Sequence, residues 1–131
     1  MMRSVCRSIA VAACLAGLVT GATPEVEHIE SMPYPTVASL AMVAGTIVMR
    51  VVVGSGGEVM NAKPLSGPKL LAEASEVNAR RWRFRIGRPG VAYLVYEFSK
   101  SGFCMERCES TFTVISPRHV LIQKGTPPIN P

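Results

Sequence analysis

The sequence predicts an α+β fold in which strand, strand, helix and strand follow one another, on three observations. Residues 45–53 (Gly-Thr-Ile-Val-Met-Arg-Val-Val-Val) alternate with a period of two and are followed, across a glycine-rich turn, by a second extended segment. Residues 69–83 carry apolar side chains at helical spacing. Residues 91–98 are apolar on both faces, as in a strand covered on one side and paired or partly shielded on the other.

The chain opens with a segment to be set aside. Arg3 and Arg7 precede an apolar, alanine-rich run, and Thr20-Gly21-Ala22 supplies small residues for cleavage after Ala22. Residues 1–22 are therefore expected to be a secretory signal peptide, placing the mature chain in the periplasm or outside the cell. Val11-Ala12-Ala13-Cys14 fits a lipobox and offers an alternative route, anchoring through Cys14. Cleavage would remove two arginines and no acid, lowering the formal net charge of +5 by two. It would leave no transmembrane helix, since the apolar run falls short of the roughly 20 residues a span needs. Cys104 and Cys108 would then be the remaining cysteines of an exported chain, most simply joined as a disulfide. Closing so short a loop stabilises by about 2 kcal/mol on the chain-entropy estimate.

Residues 23–33 hold three glutamates and two prolines with no apolar period, and are expected to be a flexible arm. Pro35 suits the first turn of a short helix that Val37, Leu40 and Ala41 continue and Gly45 ends. In the first strand Ile47, Met49, Val51 and Val53 share one face, with Arg50 central on the other. Residues 54–57 (Gly-Ser-Gly-Gly) turn the chain into residues 58–65, where Pro64 calls for an edge position or a bulge. Ser66 or Gly67 is expected to cap the main helix, with Pro68 at its first position. Leu70, Leu71, Ala74, Val77, Asn78 and Trp82 form its predicted core stripe. Trp82 is the single tryptophan, so its docking with Phe84 should place the helix, the turn and the third strand. Gly87, Pro89 and Gly90 lead into that strand. Residues 111–115 read as a further short strand, and residues 117–131 as a proline-rich tail. The domain proper is thus expected over residues 34–116.

In their order and spacing, Tyr34-Pro35, Gly45, the alternating strand to Val53, Gly57 with Val59, Ala74, Trp82-Arg83-Phe84, Gly87 and Pro89-Gly90 make the chain resemble the C-terminal domain of TonB. That periplasmic protein transmits inner-membrane energy to outer-membrane receptors. The resemblance covers residues 33–99 and implies a ββαβ core with a three-stranded antiparallel sheet packed on one main helix. It also implies a function: a receptor segment adds as an extra strand to the exposed edge of the third strand, linked to transmembrane transport. By position that edge is Val91, Ala92, Tyr93, Leu94, Val95, Tyr96, Glu97 and Phe98, with Tyr34 and Pro35 at its entrance. Tyr93 and Tyr96 point to opposite faces, one to the core and one to the surface. The partner would be an outer-membrane receptor or another envelope protein.

The segment after Lys100 opens a second reading. If the Cys104–Cys108 turn and residues 111–115 fold back on that edge, the chain is a self-capped structural or assembly module, or a homodimer pairing through the edge. Nucleic acid is not expected for an exported chain. Arg80, Arg81, Arg83, Arg85 and Arg88 also have a simpler account as cations at a helix C-terminus, beside that of an anion site. No metal or cofactor is expected, because Cys104 and Cys108 have only His119 and nearby glutamates to complete a ligand set. No catalytic residues are expected either: the chain has no aspartate, and His28 and His119 lie far apart. Glu97 reads as outward-facing rather than as a buried acid.

Overall fold

The computed structural model describes residues 23–104 and 108–126. The expected leader with Cys6 and Cys14, the residues between the two paired cysteines, and the last five residues lie outside this set. The elements are β1 (Val26–His28), α1 (Thr36–Leu40), β2 (Gly45–Val53), β3 (Val59–Ser66), α2 (Lys69–Ala79), β4 (Arg83–Phe84), β5 (Gly90–Phe103), β6 (Ser110–Ser116) and β7 (His119–Thr126). The fold is α+β. Its main sheet has five strands in the order β3-β2-β5-β7-β6, and β1 and β4 form a separate two-stranded ribbon. The sheet is mixed rather than the expected three-stranded antiparallel one, because β7 runs parallel to β5.

Side-chain alternation along β2 organises the sheet. Ile47, Met49, Val51 and Val53 are buried under α2, while Thr46, Val48, Arg50 and Val52 take the other face. The turn into β3 closes with hydrogen bonds from Gly57 N to Gly54 O (3.0 Å) and from Gly54 N to Glu58 O (2.9 Å). Gly57 sits at φ 86°, where a side chain would also collide with the Phe84 carbonyl, so this turn requires glycine. Phe84 N in turn donates to Gly57 O (2.8 Å), tying the hairpin to the segment after the helix. β3 is an edge strand, and its register with β2 slips at Leu65, beside Pro64. Both consequences expected of that proline are present.

The main helix departs from expectation at both ends and in its face. Pro68 is itself the cap residue, extended at ψ 140°, and no side chain caps the helix. Gly67, at φ 111°, packs against Thr46 and Ile47, and helical geometry begins only after Pro68. The helix ends at Ala79, so Trp82 lies in the turn beyond it, where Arg81 N and Trp82 N bond back to Asn78 O and Ala79 O. The face on the sheet is Leu71, Ala72, Ser75, Asn78 and Ala79, whereas Leu70 is 39% and Val77 59% exposed. Small residues at 72, 75 and 79 let the helix approach β2 and β3 closely, and Ser75 is buried despite its hydroxyl.

Two segments read as unstructured contribute strands. Residues 23–33 include β1, whose Val26 and His28 pair with Phe84 and Arg83. Val26, Ile29 and Met32 of this segment pack against the core and are only partly buried, at a spacing that is not the alternation of a strand. Residues 117–131 include β7, with Val120 and Ile122 fully buried. Its apolar stretch is short, and its pairing is long-range and parallel. The domain therefore extends past 116 and begins before 34. Among the described residues no helix is long and apolar enough to cross a membrane.

Substitution Ile122→Ala should lower stability by about 2–4 kcal/mol, the usual range for a buried isoleucine. A lowered urea midpoint with an unchanged m-value would show it. In a tail, the same change would stay within about 0.5 kcal/mol.

Candidate partner-binding surface

The residues expected to bind a partner are built around Asn78, whose side chain is nearly completely buried at the end of α2. Its Nδ2 donates to the carbonyls of Glu30 (3.0 Å) and Ser31 (3.1 Å). Its Oδ1 accepts from Trp82 Nε1 (2.9 Å) and from the Tyr96 hydroxyl (2.8 Å). Two donors and two lone pairs are thus all used. From this point an aromatic series runs across the core: Trp82 tilts against Tyr96 at 6.1 Å, Tyr96 stacks on Phe98 at 6.4 Å, and Tyr34 meets Phe98 edge-on at 5.5 Å. The Tyr34 hydroxyl donates to the Val43 carbonyl. Lys100 Nζ lies 5.8 Å from the centre of the Tyr34 ring and donates to Ser39 Oγ (3.1 Å). Burial raises the pKa of both Tyr96 and Tyr34 above the ordinary tyrosine value.

Tyr34 is therefore a core residue and not the entrance to a binding edge. Pro35 lies at the surface, beside a groove. Along β5, Ala92, Leu94, Tyr96 and Phe98 are likewise core, while Val91 and Tyr93 are exposed, Tyr93 by 52%. Val95 and Glu97 are half-buried on the open sheet face, where Glu97 bonds His119 of β7 (2.9 Å). The tyrosine pair divides as its spacing requires, Tyr96 inward and Tyr93 outward.

The edge itself is occupied. β5 pairs with β2 along residues 90–98 and, on its other side, with β7 from Val95 to Lys100. Val95 N donates to Arg118 O (2.8 Å) where this second pairing begins. The chain does fold back on the expected edge, but the covering strand is β7 and not residues 111–115. Those belong to β6, which pairs with β7 and forms the outer edge. Only the stretch before Val95 has no strand on that side among the described residues. It lies near a small cavity of about 270 Å³ lined by Pro24, Arg88 and Arg118, among others.

The two sheet edges are chemically different. β3 is blunted by Lys63, Pro64 and two register shifts. β6, with the sequence Ser-Thr-Phe-Thr-Val-Ile-Ser, has one register shift, between Val114 and Ser116, but no charge and no proline, and Val114 and Ile115 are 48% and 51% exposed. Its segment was legible as a strand, but its edge position was not, because β7 went unread. The Cys104–Cys108 disulfide, with Cα atoms 5.4 Å apart, closes the link between β5 and β6.

The arginine cluster is largely consumed locally. Arg80 pairs with Glu76 (2.9 Å), Arg83 donates to the carbonyls of Arg80 and Trp82, and Arg85 and Arg88 share Glu25. Arg81 makes no ion pair among the described residues, and no group of three metal-ligating side chains occurs among them. No protein-family model matches the chain, and no curated protein matches it.

Substitution Asn78→Ala should destabilise by about 3–4 kcal/mol, since it strands an indole N–H, a hydroxyl and two carbonyls; chemical denaturation measures it. Tyr96 stays protonated in the folded chain above pH 10, where the unfolded chain ionises, so the folded state binds more protons there. Its contribution is fully present below about pH 10 and falls by about 1.4 kcal/mol per pH unit above it. Tyr96→Phe should flatten that alkaline slope while lowering stability at neutral pH by about 1–2 kcal/mol.

Proposed function

We propose that this chain is a non-catalytic binding module of the cell envelope, similar to the TonB C-terminal domain, that takes an extended partner segment by strand addition at β6. The observation that carries this reading is the uncharged, proline-free outer edge of β6, beside a β3 edge that carries such protections. Strand addition needs a row of unpaired main-chain N–H and C=O groups and side-chain pockets that repeat every two residues. The third strand of the resemblance cannot supply that row beyond Val95, because β7 already pairs with it. The same geometry moved two strands outward reaches β6. The element order from Gly45 to Phe98 and the burial of Trp82 and Phe84, full or almost full, support this reading. Export to the periplasm and a link to receptor-dependent transport belong to this reading.

The covered β5 edge favours a second reading, a self-capped assembly module whose β6 edge meets the β6 of another copy. The two differ in their response to concentration. An acetylated, amidated peptide of alternating Val and Thr should shift the amides of Ser110–Ser116 in an NMR titration of the monomer. The double substitution Thr113→Lys/Ile115→Lys should weaken this at least tenfold without changing the melting temperature by more than a few degrees. Protection of those amides without peptide, lost on dilution, would establish the second reading. Absence of both effects would reject strand addition at this edge.

A further inference from the structure

Helix α2 has a second apolar stripe that the sheet does not use. Leu70, Ala74 and Val77 recur at i, i+4 and i+7 on its outer side, Arg81 follows in the turn beyond the helix, and Val77 is mostly exposed. Beside this stripe the chain before α1 runs as a wall of Met32, Pro33 and Pro35, leaving a groove of about 380 Å³. The volume suits one large side chain with its flanking main chain. Asn78, bonded to both Glu30 and Ser31, fixes the distance between wall and floor, so the groove is built into the fold.

Its chemistry is specific in two respects. Pro33 and Pro35 have no N–H to offer, so this wall cannot add a strand in the manner of β6 and recognition must rest on side chains. At the C-terminal end of the floor stands Arg81, without an ion pair among the described residues, while Arg80, Arg85 and Arg88 have carboxylate partners and Arg83 binds carbonyls. Glu30 also lines the groove, but its carboxylate bonds His28 (3.0 Å) rather than Arg81, so a guanidinium without a carboxylate partner beside the apolar floor complements an apolar group followed by an anion. We infer that the groove between α2 and residues 30–35 is a second binding site, which takes a peptide presenting a bulky apolar side chain next to a carboxylate. The apolar side chain lies over Ala74 and Val77 between the prolines, and the carboxylate meets Arg81. This site is separate from the β6 edge and does not depend on it.

The test is an NMR titration of the purified protein with acetyl-Phe-Glu-amide and, as its neutral match, acetyl-Phe-Gln-amide. Saturable shifts of Ala74, Val77, Asn78 and Arg81 are expected at millimolar peptide, with about threefold tighter binding of the glutamate form, as suits an exposed ion pair. Arg81→Gln should abolish that preference while retaining the shifts. Val77→Glu, at an exposed position, should remove binding of both peptides while Trp82 fluorescence shows an intact core. Equal affinity for the two peptides, insensitivity to Arg81→Gln, or no saturable shift would overturn the assignment. Shifts of the same amides with protein concentration alone would also overturn it and give the groove to a second copy.

Discussion

The carboxamide of Asn78 is the constraint from which most of this structure follows. A buried amide is stable only when its hydrogen bonds are complete, and here each one reaches a different part of the chain. The donors hold the N-terminal segment, whose Val26, Ile29 and Met32 pack only partly buried against the core. The acceptor orients the indole of Trp82 and the phenol of Tyr96 at once, and Tyr96 carries the aromatic packing on to Phe98 and Tyr34. No other side chain supplies this set in this place. Aspartate would turn two donors into acceptors facing carbonyls, and leucine would leave four polar groups unmet. The helix terminus, the N-terminal segment and the central strand are therefore mutually dependent.

A second constraint is the fate of the sheet edges. A strand such as β5, with Ala92, Leu94, Tyr96 and Phe98 all buried, is poorly suited to a solvent edge, and the chain covers it from Val95 onward with β7. Because β6 is laid down one position further out and the chain then turns back, the covering strand runs parallel to β5 with no helix between them. The disulfide lies where this rearrangement starts, at the end of β5. Covering one edge creates another, and β6 lacks the lysine and the proline that blunt β3, keeping a single register shift between Val114 and Ser116.

What the sequence made legible was local. The alternation of residues 45–53, the glycine turn and the proline in the next strand all report on neighbours a few residues away, and the hairpin formed as read. The burial of Trp82 with Phe84 was equally accessible, since one indole in a short domain has few places to go. The helix was read but turned: Ser75 counted as polar although it is buried, and Leu70 and Val77 counted as core although they face outward. Long-range features were hidden. Val120 to Ile122 is too short a run to signal a strand, and its parallel partner lies some two dozen residues back. Missing β7 also placed the binding edge on β5. Tyr34 was misread for a related reason: nothing local distinguishes a tyrosine beside a proline at the surface from one whose hydroxyl reaches the Val43 carbonyl.

The two proposed surfaces differ in what they recognise and are far apart. β6 ends the sheet, whereas α2 packs over β2 and β3, three and four strands away. At about 4.8 Å per strand the separation is on the order of 15 Å across the sheet. An extended peptide added to β6 runs along the strand direction, so its length does not carry it toward the groove. A short segment can therefore hold one surface or the other, and only a folded partner or a chain that turns around the domain can hold both. Main-chain pairing at β6 is tolerant of sequence, while an apolar side chain beside a carboxylate is a selective requirement. A partner meeting both would gain affinity from the first and discrimination from the second, with an effective concentration set by the linker between its two segments.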